Sequence, residues 1–431
     1  MKIHLKALGC RLNEAELEQW SQQFRSGGHE IVASVPDADV LVLNTCAVTN
    51  EAAGKSRRLM HRLYRENPAA KLVVSGCYAS LQTDEVAQAL GVDLVVPNTD
   101  KDRLPQAVMQ QFASPIMPAM ATEPGETPLF LRGRQRAFIK IQDGCRYRCT
   151  FCIVTLARGE ERSRSETDIV SEINGLYAQG VQEIVLTGVH VGGYGSDTGS
   201  SLYALVQAIL RETDMPRIRF ASVEPWDLPA DFFALFADPR LMPHMHLPLQ
   251  SGADSVLRRM ARRCKTAEFA RLVEQARTAV PGFNVTTDII VGFPGETDEE
   301  WEQTLAFVQS VGFGHLHIFS YSVREGTKAA GLPGQVAEFV KKQRSQTLHE
   351  IGERMKQEWL QQQVGGYIPV LWEYGRESGD GRQTYTGYTP NYCKVSVSVP
   401  KNSQLGNTVT PTLLLGVDAD GVLQGRLSNE G

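Results

Sequence analysis

Residues 138–152, FIKIQDGCRYRCTFC, join a short apolar run to a loop that contains three cysteines. The run FIKI has the β-branched and aromatic composition of a strand, and the glycine that follows it is typical of a turn. Three residues separate Cys145 from Cys149 and two separate Cys149 from Cys152, so the three thiols can converge on one metal centre. This stretch therefore predicts a strand that ends in a metal-binding loop.

The ligand set of this loop favours iron–sulfur chemistry over structural zinc. Thiolates prefer zinc or the iron of iron–sulfur clusters, but a structural zinc needs a fourth protein ligand, and the loop has neither a fourth cysteine nor a histidine. A [4Fe-4S] cluster held by three cysteines leaves one iron open to a small molecule. A zinc site completed by a remote ligand is the alternative interpretation.

Five more apolar runs follow this strand, and each precedes a segment of helical character. They are QEIVLTG, RIRFASVEP, MHLPLQSG, NVTTDIIVGFPG and HLHIFSYS. Strands that alternate with helices predict a parallel barrel, or part of one, over residues 135–364. The cysteine loop then lies at the C-terminal ends of the strands, where barrel enzymes have their active sites. A long charged helix is predicted over residues 335–363.

The flanking regions have different patterns. Residues 1–112 alternate short apolar runs with helical stretches, which predicts a small parallel α/β domain. Residues 113–134 are rich in proline and predict a linker. Residues 365–431 contain short strands separated by Gly, Pro and Asn, which is typical of a small antiparallel β-barrel.

Length, composition and charge exclude several classes of protein. The chain has 431 residues, of which 42% are hydrophobic and 22% are charged, so it can bury several cores and is not globally disordered. Its formal charge of -5 means that contact with nucleic acid must come from local basic patches. No apolar run is long enough to span a membrane and no secretory signal opens the chain, so we expect no membrane partner and a cytoplasmic location.

Three further cysteines follow short apolar runs in the N-terminal region. Cys10 ends LKALGC, Cys46 follows VLVLNT, and Cys77 ends KLVVSGC. Because the carboxyl ends of parallel strands meet at one edge of a sheet, these thiols could form a second metal site. A single cysteine at a strand end is more often an inert core residue, but three in one domain favour a shared site.

Seven segments, in order along the chain, resemble the methylthiotransferase family of radical S-adenosylmethionine enzymes. They are ALGCRLNEAELE, NTCAVTNEAAGKSRR, SGCYAS, QDGCRYRCTFC, LTGVHVGGYG, HLPLQSG and TDIIVGFPGET. The second and fifth are most similar to the branch that acts on threonylcarbamoyladenosine (t6A) in tRNA. The resemblance implies a Rossmann- or flavodoxin-like N-terminal domain, a partial (β/α)6 radical S-adenosylmethionine barrel and an OB-like TRAM barrel at the C-terminus.

The resemblance also implies the cofactors and the residues that hold them. Two [4Fe-4S] clusters are expected, one on Cys145, Cys149 and Cys152 and an auxiliary one on Cys10, Cys46 and Cys77. S-adenosylmethionine is expected twice, as a methyl donor and as the source of a 5'-deoxyadenosyl radical. Its expected contacts lie on the turns after the later strands, at Gly188, Ser222, Glu224, Gln250, Ser251, Gly292 and Gly295.

Several of these residues have a simpler interpretation. Each glycine taken alone could belong to an ordinary turn. His190 and His246 are candidate proton carriers, although buried structural histidines are more common. Cys264 and Cys393 match no cysteine position of the family, so we expect them to be packing residues or free thiols.

The chain departs from the family pattern beside the cysteine loop. Family members usually have a proline three residues after the last cysteine, often next to an aromatic residue, whereas this chain has Thr155 and Leu156.

The implied activity is methylthiolation of C2 of t6A at position 37 of tRNA. The implied partners are the tRNA anticodon loop and a low-potential electron donor such as a flavodoxin. The alternatives are the same chemistry on isopentenyl-adenosine in tRNA, the same chemistry on a ribosomal-protein aspartate, and a non-catalytic RNA-binding protein that holds zinc.

Local charge favours an anionic macromolecule as partner. Residues 131–164 contain nine Lys or Arg and three Asp or Glu, and residues 54–65 and 258–265 each contain five basic side chains. These runs predict a positive surface around the cysteine loop.

The C-terminal region is less clearly suited to RNA. Residues 366–431 hold five basic and six acidic side chains, which is an unfavourable balance for binding a polyanion. Tyr385, Tyr388 and Tyr392 could stack on bases, or they could pack in the core of the barrel.

Overall fold

The computed structural model describes residues 1–112, 136–373, 375–377 and 381–427. The predicted linker over residues 113–134 lies outside the described residues. Among the helices of the described ranges, none combines the length and the apolar composition that a membrane span requires.

The N-terminal region forms a five-stranded parallel sheet of order β2-β1-β3-β4-β5. Every residue of the central strand β3 is buried, which explains its continuous apolar sequence. The strands are β1 (Lys2–Ala7), β2 (Glu30–Ile31), β3 (Val40–Thr45), β4 (Lys71–Gly76) and β5 (Val92–Val96).

Helices cover both faces of this sheet. Trp20 and Phe24 pack on one face, and Leu59 and Leu63 pack on the other, as expected for a doubly wound domain. The helices are α1 (Arg11–Ser26), α2 (Asn50–Glu66), α3 (Cys77–Leu81), α4 (Thr83–Ala87) and α5 (Leu104–Phe112).

The central region forms a six-stranded parallel partial barrel of order β6-β9-β10-β11-β12-β13, which confirms the predicted fold. Isolated bridges from Ile218 to Leu241 and from Ser222 to His246 join its two three-stranded halves. The strands are β6 (Arg136–Lys140), β9 (Glu183–Thr187), β10 (Arg217–Phe220), β11 (His244–His246), β12 (Asn284–Val291) and β13 (His315–Ser320). A short antiparallel pair, β7 (Gln142–Asp143) and β8 (Arg162–Ser163), flanks the cysteine loop.

The helices of this region follow the strands in sequence. The predicted long charged helix is observed as α12, and it packs against β13. The helices are α6 (Val154–Arg158), α7 (Glu166–Ala178), α8 (Leu202–Glu212), α9 (Asp254–Arg259), α10 (Thr266–Ala279), α11 (Asp298–Val311) and α12 (Glu338–Gln361).

The barrel is open on one side, because β6 and β13 do not pair within the described residues. Helix α1 of the N-terminal domain lies against β6, where the backbone N–H of Phe138 donates to Oε2 of Glu18 at 3.0 Å. The open side therefore lies between α1 and β13, at the boundary between the two domains.

The C-terminal region forms a five-stranded antiparallel barrel with one parallel pair, β17 with β19. The order β14-β18-β19-β17-β16 is closed by pairing of β14 with β16. Trp372 and Val395 lie in its core. The strands are β14 (Tyr367–Trp372), β16 (Arg382–Tyr388), β17 (Lys394–Pro400), β18 (Val409–Val417) and β19 (Leu423–Leu427), with the short β15 (Arg376–Glu377) beside β16.

The turn of residues 389–393 docks this small barrel onto the N-terminal ends of the central strands. Arg219 donates to the carbonyl of Pro390 at 3.0 Å, and Asn284 donates to the carbonyl of Asn391 at 2.9 Å. The ring of Tyr392 stacks on His244 with centroids 4.7 Å apart. The turn therefore covers that end of the partial barrel.

The three tyrosines considered for base stacking have internal partners instead. Tyr385 is buried in the small barrel and donates to the carbonyl of Ser403 at 2.8 Å. Tyr388 and Tyr392 stack on each other at 4.9 Å, and the guanidinium of Arg136 lies over both rings. All three contribute to packing or docking, as in the second interpretation of the sequence.

Candidate active site

The cysteine loop leaves β7 through a glycine that its backbone requires. Gly144 has φ +72, and a Cβ added there would overlap the carbonyl oxygen of Glu160. The backbone N–H of Cys145 donates to the carbonyl of Gly159 at 3.1 Å, which holds the start of the loop against its end.

Replacing Gly144 by alanine should therefore disrupt the cysteine loop. The added methyl group meets backbone atoms, which cannot move aside, and the positive φ adds strain of about 1 kcal/mol or more. We expect the purified variant to lose most of the metal bound by this loop, measured as iron per chain after anaerobic reconstitution. Gly199→Ala is the control, because Gly199 also has a positive φ, lies outside the cysteine loop, and has no atom within 4 Å of the point that its added methyl group would occupy. Equal metal content in both variants would contradict the role given to Gly144.

The thiols of the loop interact with one another and are partly shielded from solvent. Cys145 interacts electrostatically with both Cys149 and Cys152. Burial raises the pKa of Cys145 to about 12 and that of Cys152 to about 11, so both thiols are protonated at neutral pH in the metal-free chain. Metal binding must displace these protons. A set of three adjacent thiols with no disulfide fits a cluster with one open iron.

A histidine lies beside this loop but has both ring nitrogens engaged. Within the described chain, the ligand atoms of Cys145, Glu161 and His190 form the only group of possible metal ligands within 4.8 Å of one another. Nδ1 of His190 contacts Glu161, and its Nε2 lies 2.6 Å from Oδ2 of Asp227. Burial alone would lower the pKa of His190. The hydrogen bond to Asp227 and the charges of the neighbouring carboxylates outweigh this effect and raise the pKa to about 9. Because both ring nitrogens contact carboxylates, His190 would have to give up one of these contacts to bind zinc, so this group does not favour the zinc alternative.

The N-terminal cysteines lie at the C-terminal ends of three neighbouring strands. Cys10 follows β1, Cys46 follows β3, and Cys77 follows β4 as the first residue of α3. Cys46 packs against Gly9, where φ is +106 and an added Cβ would lie 2.6 Å from the sulfur. Cys46 interacts electrostatically with Cys10 and Cys77, and burial raises the pKa of Cys46 to about 11. The structure thus brings these three thiols together.

The N-terminal cysteines and the helix that follows the cysteine loop border the same cavity. Cys10, Cys46 and Cys77 line this cavity, which has a volume of about 1020 Å³ and extends into the partial barrel. Val154 and Arg158, from the helix that follows the cysteine loop, line it as well. Cys77 is also within electrostatic range of Cys152. The two cysteine sets therefore lie near each other at the domain boundary.

Arg158 connects the two sets directly. Its Nε donates to Sγ of Cys77 at 3.3 Å, and its Nη2 donates to Oδ1 of Asn13 at 2.8 Å. The same Asn13 oxygen accepts a hydrogen bond from the thiol of Cys10 at 3.8 Å. Because Arg158 follows the cysteine loop in sequence, its side chain fixes that loop relative to the N-terminal thiols.

Two buried carboxylates form ion pairs with Arg158. Nη1 of Arg158 lies 2.9 Å from Oε1 of Glu16 and 3.0 Å from Oδ1 of Asp143. Lys101 pairs with both carboxylates, and Lys140 lies 3.6 Å from Asp143. Burial favours the neutral acid, but the charges of Arg158 and Lys101 outweigh it and hold the pKa of Glu16 at about 2.

This network corrects the expected positive surface around the loop. Arg136, Lys140 and Arg158 belong to the basic run of residues 131–164, but all three are buried in ion pairs. The run therefore presents less charge to a partner than its composition predicts. No periodic pattern in the sequence predicts that an arginine is buried in an ion-pair network, so sequence analysis missed the role of Arg158. The one signal in the sequence was its position just after the cysteine loop.

The predicted cofactor contacts fall into two groups. Gly188 and Ser222 line the cavity, and a side chain at position 188 would crowd Gln142, whose Oε1 would lie 3.0 Å from an added Cβ. Glu224 lies nearby and interacts with Cys145; burial raises the pKa of Glu224, and its Oε2 has no hydrogen-bond partner. This oxygen lies 3.7 Å from Nε2 of His190 without a hydrogen bond to it, so it can still accept one from the amino group of S-adenosylmethionine.

The remaining predicted contacts are engaged within the chain. Ser251 bonds to Oγ1 of Thr304 at 3.3 Å, and Gln250 adopts φ +82 where it bridges to Ile289. Gly292 packs against Lys341 of α12, whose side chain a Cβ added at position 292 would overlap.

Three other residues considered in the sequence, Gly295, Cys264 and Cys393, are also accounted for by contacts or burial within the chain. The N–H of Gly295 donates to the carbonyl of Gly334 at 2.7 Å. Cys264 and Cys393 are both buried, and the thiol of Cys264 donates to the carbonyl of Lys265 at 3.4 Å.

Known proteins resemble this chain in both sequence and fold. Family models match residues 139–308 as the radical SAM superfamily and residues 2–97 as uncharacterized protein family UPF0004. The chain is 37% identical to the threonylcarbamoyladenosine tRNA methylthiotransferase MtaB of Bacillus subtilis (strain 168), over 91% of this chain and 89% of that protein. It is 35% identical to the protein of that name from Thermotoga maritima, over 91% and 90% of the two chains.

Another similar protein is named for a different nucleoside. The tRNA-2-methylthio-N(6)-dimethylallyladenosine synthase of Bacillus subtilis (strain 168) is 35% identical, over 93% of this chain and 81% of that protein. Among solved structures, the radical S-adenosylmethionine methyltransferase TsrM of Kitasatospora setae matches with a TM-score of 0.56 and 15% identity, over 74% and 72% of the two chains. That likeness concerns the fold alone.

Proposed function

Because this chain belongs to the radical S-adenosylmethionine methylthiotransferase family that modifies tRNA, we propose that it methylthiolates C2 of t6A at position 37. The observation that carries this proposal is that Cys10, Cys46 and Cys77 line a cavity together with Arg158, which follows the cysteine loop, and that Cys77 interacts electrostatically with Cys152. The t6A substrate is supported by the relatives from Bacillus subtilis and Thermotoga maritima, whose names specify it.

We infer that each cysteine set holds one [4Fe-4S] cluster. Three thiols per set, with no fourth ligand from the same loop, suit a cluster that keeps one iron open. When bound, the clusters and S-adenosylmethionine would supply the one-electron chemistry and the sulfur-containing group that is transferred. A low-potential donor such as a flavodoxin would supply the electrons. The ligands are Cys145, Cys149 and Cys152 for one cluster and Cys10, Cys46 and Cys77 for the other.

The chain's own residues position these groups. Glu224 would accept hydrogen bonds from the amino group of S-adenosylmethionine, while Gly188 and Ser222 leave room at the cavity wall. Arg158 holds Cys77 and fixes the cysteine loop relative to it. The cavity walls would shield the reacting groups from part of the bulk water, which limits side reactions. The target base must leave its stack to enter, which is easiest in a single-stranded loop.

An anaerobic turnover assay with tRNA substrates tests the activity. We expect the reconstituted enzyme to form the methylthio product from tRNA that carries t6A, and not from the same tRNA with unmodified adenosine, with nucleosides read by mass spectrometry. A third substrate is tRNA that carries isopentenyl-adenosine, because the similar synthase of Bacillus subtilis is named for that nucleoside. Product from that tRNA alone would reject t6A as the substrate.

Replacing Cys77 by alanine should remove one cluster and leave the other. We expect iron to fall from about eight to about four per chain, because a [4Fe-4S] cluster needs its three thiolates. Methylthiolation should be abolished, whereas reductive cleavage of S-adenosylmethionine should persist. Cys264→Ala is the matched control, since Cys264 is also buried and lies outside both sets. Unchanged iron in Cys77→Ala, or zinc in place of iron, would contradict the two-cluster proposal.

A further inference from the structure

Histidines line one wall of the cavity inside the partial barrel. His246 of β11 and His315 and His317 of β13 all face the cavity, and we call these three residues the imidazole wall. Thr286 of β12 pairs in register with both His246 and His315, and Asp288 pairs with His317. Alternate residues of a strand face the same side, which explains why all of these side chains point inward.

The rings of the imidazole wall are close to one another. The centroids of His246 and His317 are 5.2 Å apart, and those of His315 and His317 are 4.7 Å apart. Nε2 of His246 lies 3.1 Å from Asp288, and its Nδ1 lies 3.0 Å from Thr286. His246 is therefore held in place, and it supports the other two rings.

His315 and His317 make no hydrogen bond within the described part of the chain, so their ring nitrogens are available to a ligand. A neutral imidazole offers one N–H donor, so two adjacent rings can bind an oxygen-rich group.

Charged groups of both signs surround the wall. Six Lys or Arg side chains and three Asp or Glu side chains line the cavity. Lys356 and Glu353 of α12 interact with His315, while Asp288 and Arg11 interact with His317. Five of the six cations pair with carboxylates, so hydrogen bonds from the imidazole N–H groups, more than net charge, would hold an anion at this wall.

We propose that His315 and His317 bind the carboxylate of the threonyl arm of t6A. This inference rests on the proposed function. In adenine, C2 and N6 lie on the same edge of the base, on either side of N1 and C6. When C2 faces the cysteines, the substituent on N6 therefore extends into the same cavity, where it meets the imidazole wall.

The wall also provides a basis for selecting the substrate. An isopentenyl arm offers only carbon, so it would bury the imidazole N–H groups without giving them partners, which is unfavourable. A threonylcarbamoyl arm supplies a carboxylate and a hydroxyl group. Sites that bind a polar group reject an analogue that lacks it more strongly than apolar pockets reject a polar one.

The test compares the binding of anticodon stem-loops to the full-length, reconstituted enzyme. The loops differ only at position 37, which is t6A or unmodified adenosine. We expect the double variant His315→Ala/His317→Ala to bind the t6A loop about a hundredfold more weakly, because two hydrogen bonds to a charged group are lost. Its affinity for the unmodified loop should stay within about twofold of wild type, since the phosphodiester contacts are the same.

Two further variants make the result specific. His317→Gln keeps an N–H donor and should recover part of the affinity for the t6A loop. His29→Ala is the control, because His29 lies away from the cavity, with its Nδ1 at 3.4 Å from the N-terminal amino group of Met1. Melting curves of each variant, followed by circular dichroism, show whether the fold is retained.

The outcomes distinguish failure of the carboxylate site from failure of the proposed function. Equal weakening for both loops would assign the histidines to the RNA backbone and overturn the carboxylate site, as would no weakening for either loop. In both cases the proposed function would stand if the wild-type enzyme still methylthiolates tRNA that carries t6A. If the wild-type enzyme instead modifies only isopentenyl-adenosine, the proposed function itself would fail.

Discussion

Replacing Arg158 by methionine is expected to lower the free energy of unfolding by about 3–5 kcal/mol, the usual cost of removing one partner from a buried ion pair. Methionine has similar length but no charge and no hydrogen-bond donors. Glu16 and Asp143 would lose a cation at 2.9 Å and 3.0 Å, and Cys77 would lose its donor. Urea denaturation of the metal-free variant measures the effect without interference from the clusters.

Arg148→Met is the control for this prediction. Arg148 lies in the same loop and pairs with Glu160 at 2.7 Å, but both side chains are more than half exposed, at 61% and 68%. An exposed pair of this kind contributes about 0–1 kcal/mol, so this variant should unfold close to wild type. Equal urea midpoints for the two variants would show that the buried network does not stabilise the junction between the domains.

Replacing Glu183 by glutamine should loosen the C-terminal barrel from the central domain. Glu183 is fully buried and receives hydrogen bonds from Arg217 at 2.9 Å and from Arg219 at 3.2 Å, while Arg136 lies 3.9 Å away. The same arginines donate to the docking turn or stack on its tyrosines. Without the carboxylate, three buried cations repel one another, and we expect a loss of about 3–5 kcal/mol.

Limited proteolysis measures this loosening. Glu183→Gln should release a fragment that contains the small barrel at protease concentrations that leave wild type intact. Glu212→Gln is the control, because Glu212 pairs with Arg211 on the surface. If the two variants resist cleavage equally, the three arginines do not depend on Glu183.

The loss of stability of the wild-type protein at low pH should depend on Glu183. Burial opposes ionisation, but the charges of Arg219, Arg217 and Arg136 hold the pKa of Glu183 at about 2, below the 4.5 of an ordinary glutamate. Its contribution to stability is therefore complete above about pH 4.5 and is lost as the pH falls toward about 2. Glu183→Gln should lack this component of the acid transition.

The sequence was sufficient to predict the fold class and the elements that carry the cysteines. Six apolar runs predicted the six strands of the partial barrel, and a charged stretch without Gly or Pro predicted α12. Cys10, Cys46 and Cys77 each follow an apolar run, and neighbouring strands bring them to one cavity. These features depend on local patterns, which sequence analysis detects well.

The contacts between distant segments could not be predicted in this way. Arg158 meets Glu16 and Asn13 across more than 140 residues of sequence, and no periodicity indicates such a pair. Gly292 has the positive φ expected of a special turn, but its neighbour is α12, not an open cavity. A pattern of buried and exposed positions reports which face of an element is covered, and it does not report what covers it.

The docking turn at residues 389–393 has a consequence for the order of events. It covers one end of the partial barrel, and within the described residues the barrel is open between α1 and β13. An RNA loop that inserts a nucleotide through that side would obstruct the exchange of small molecules there. We therefore expect ordered binding, with S-adenosylmethionine before the RNA.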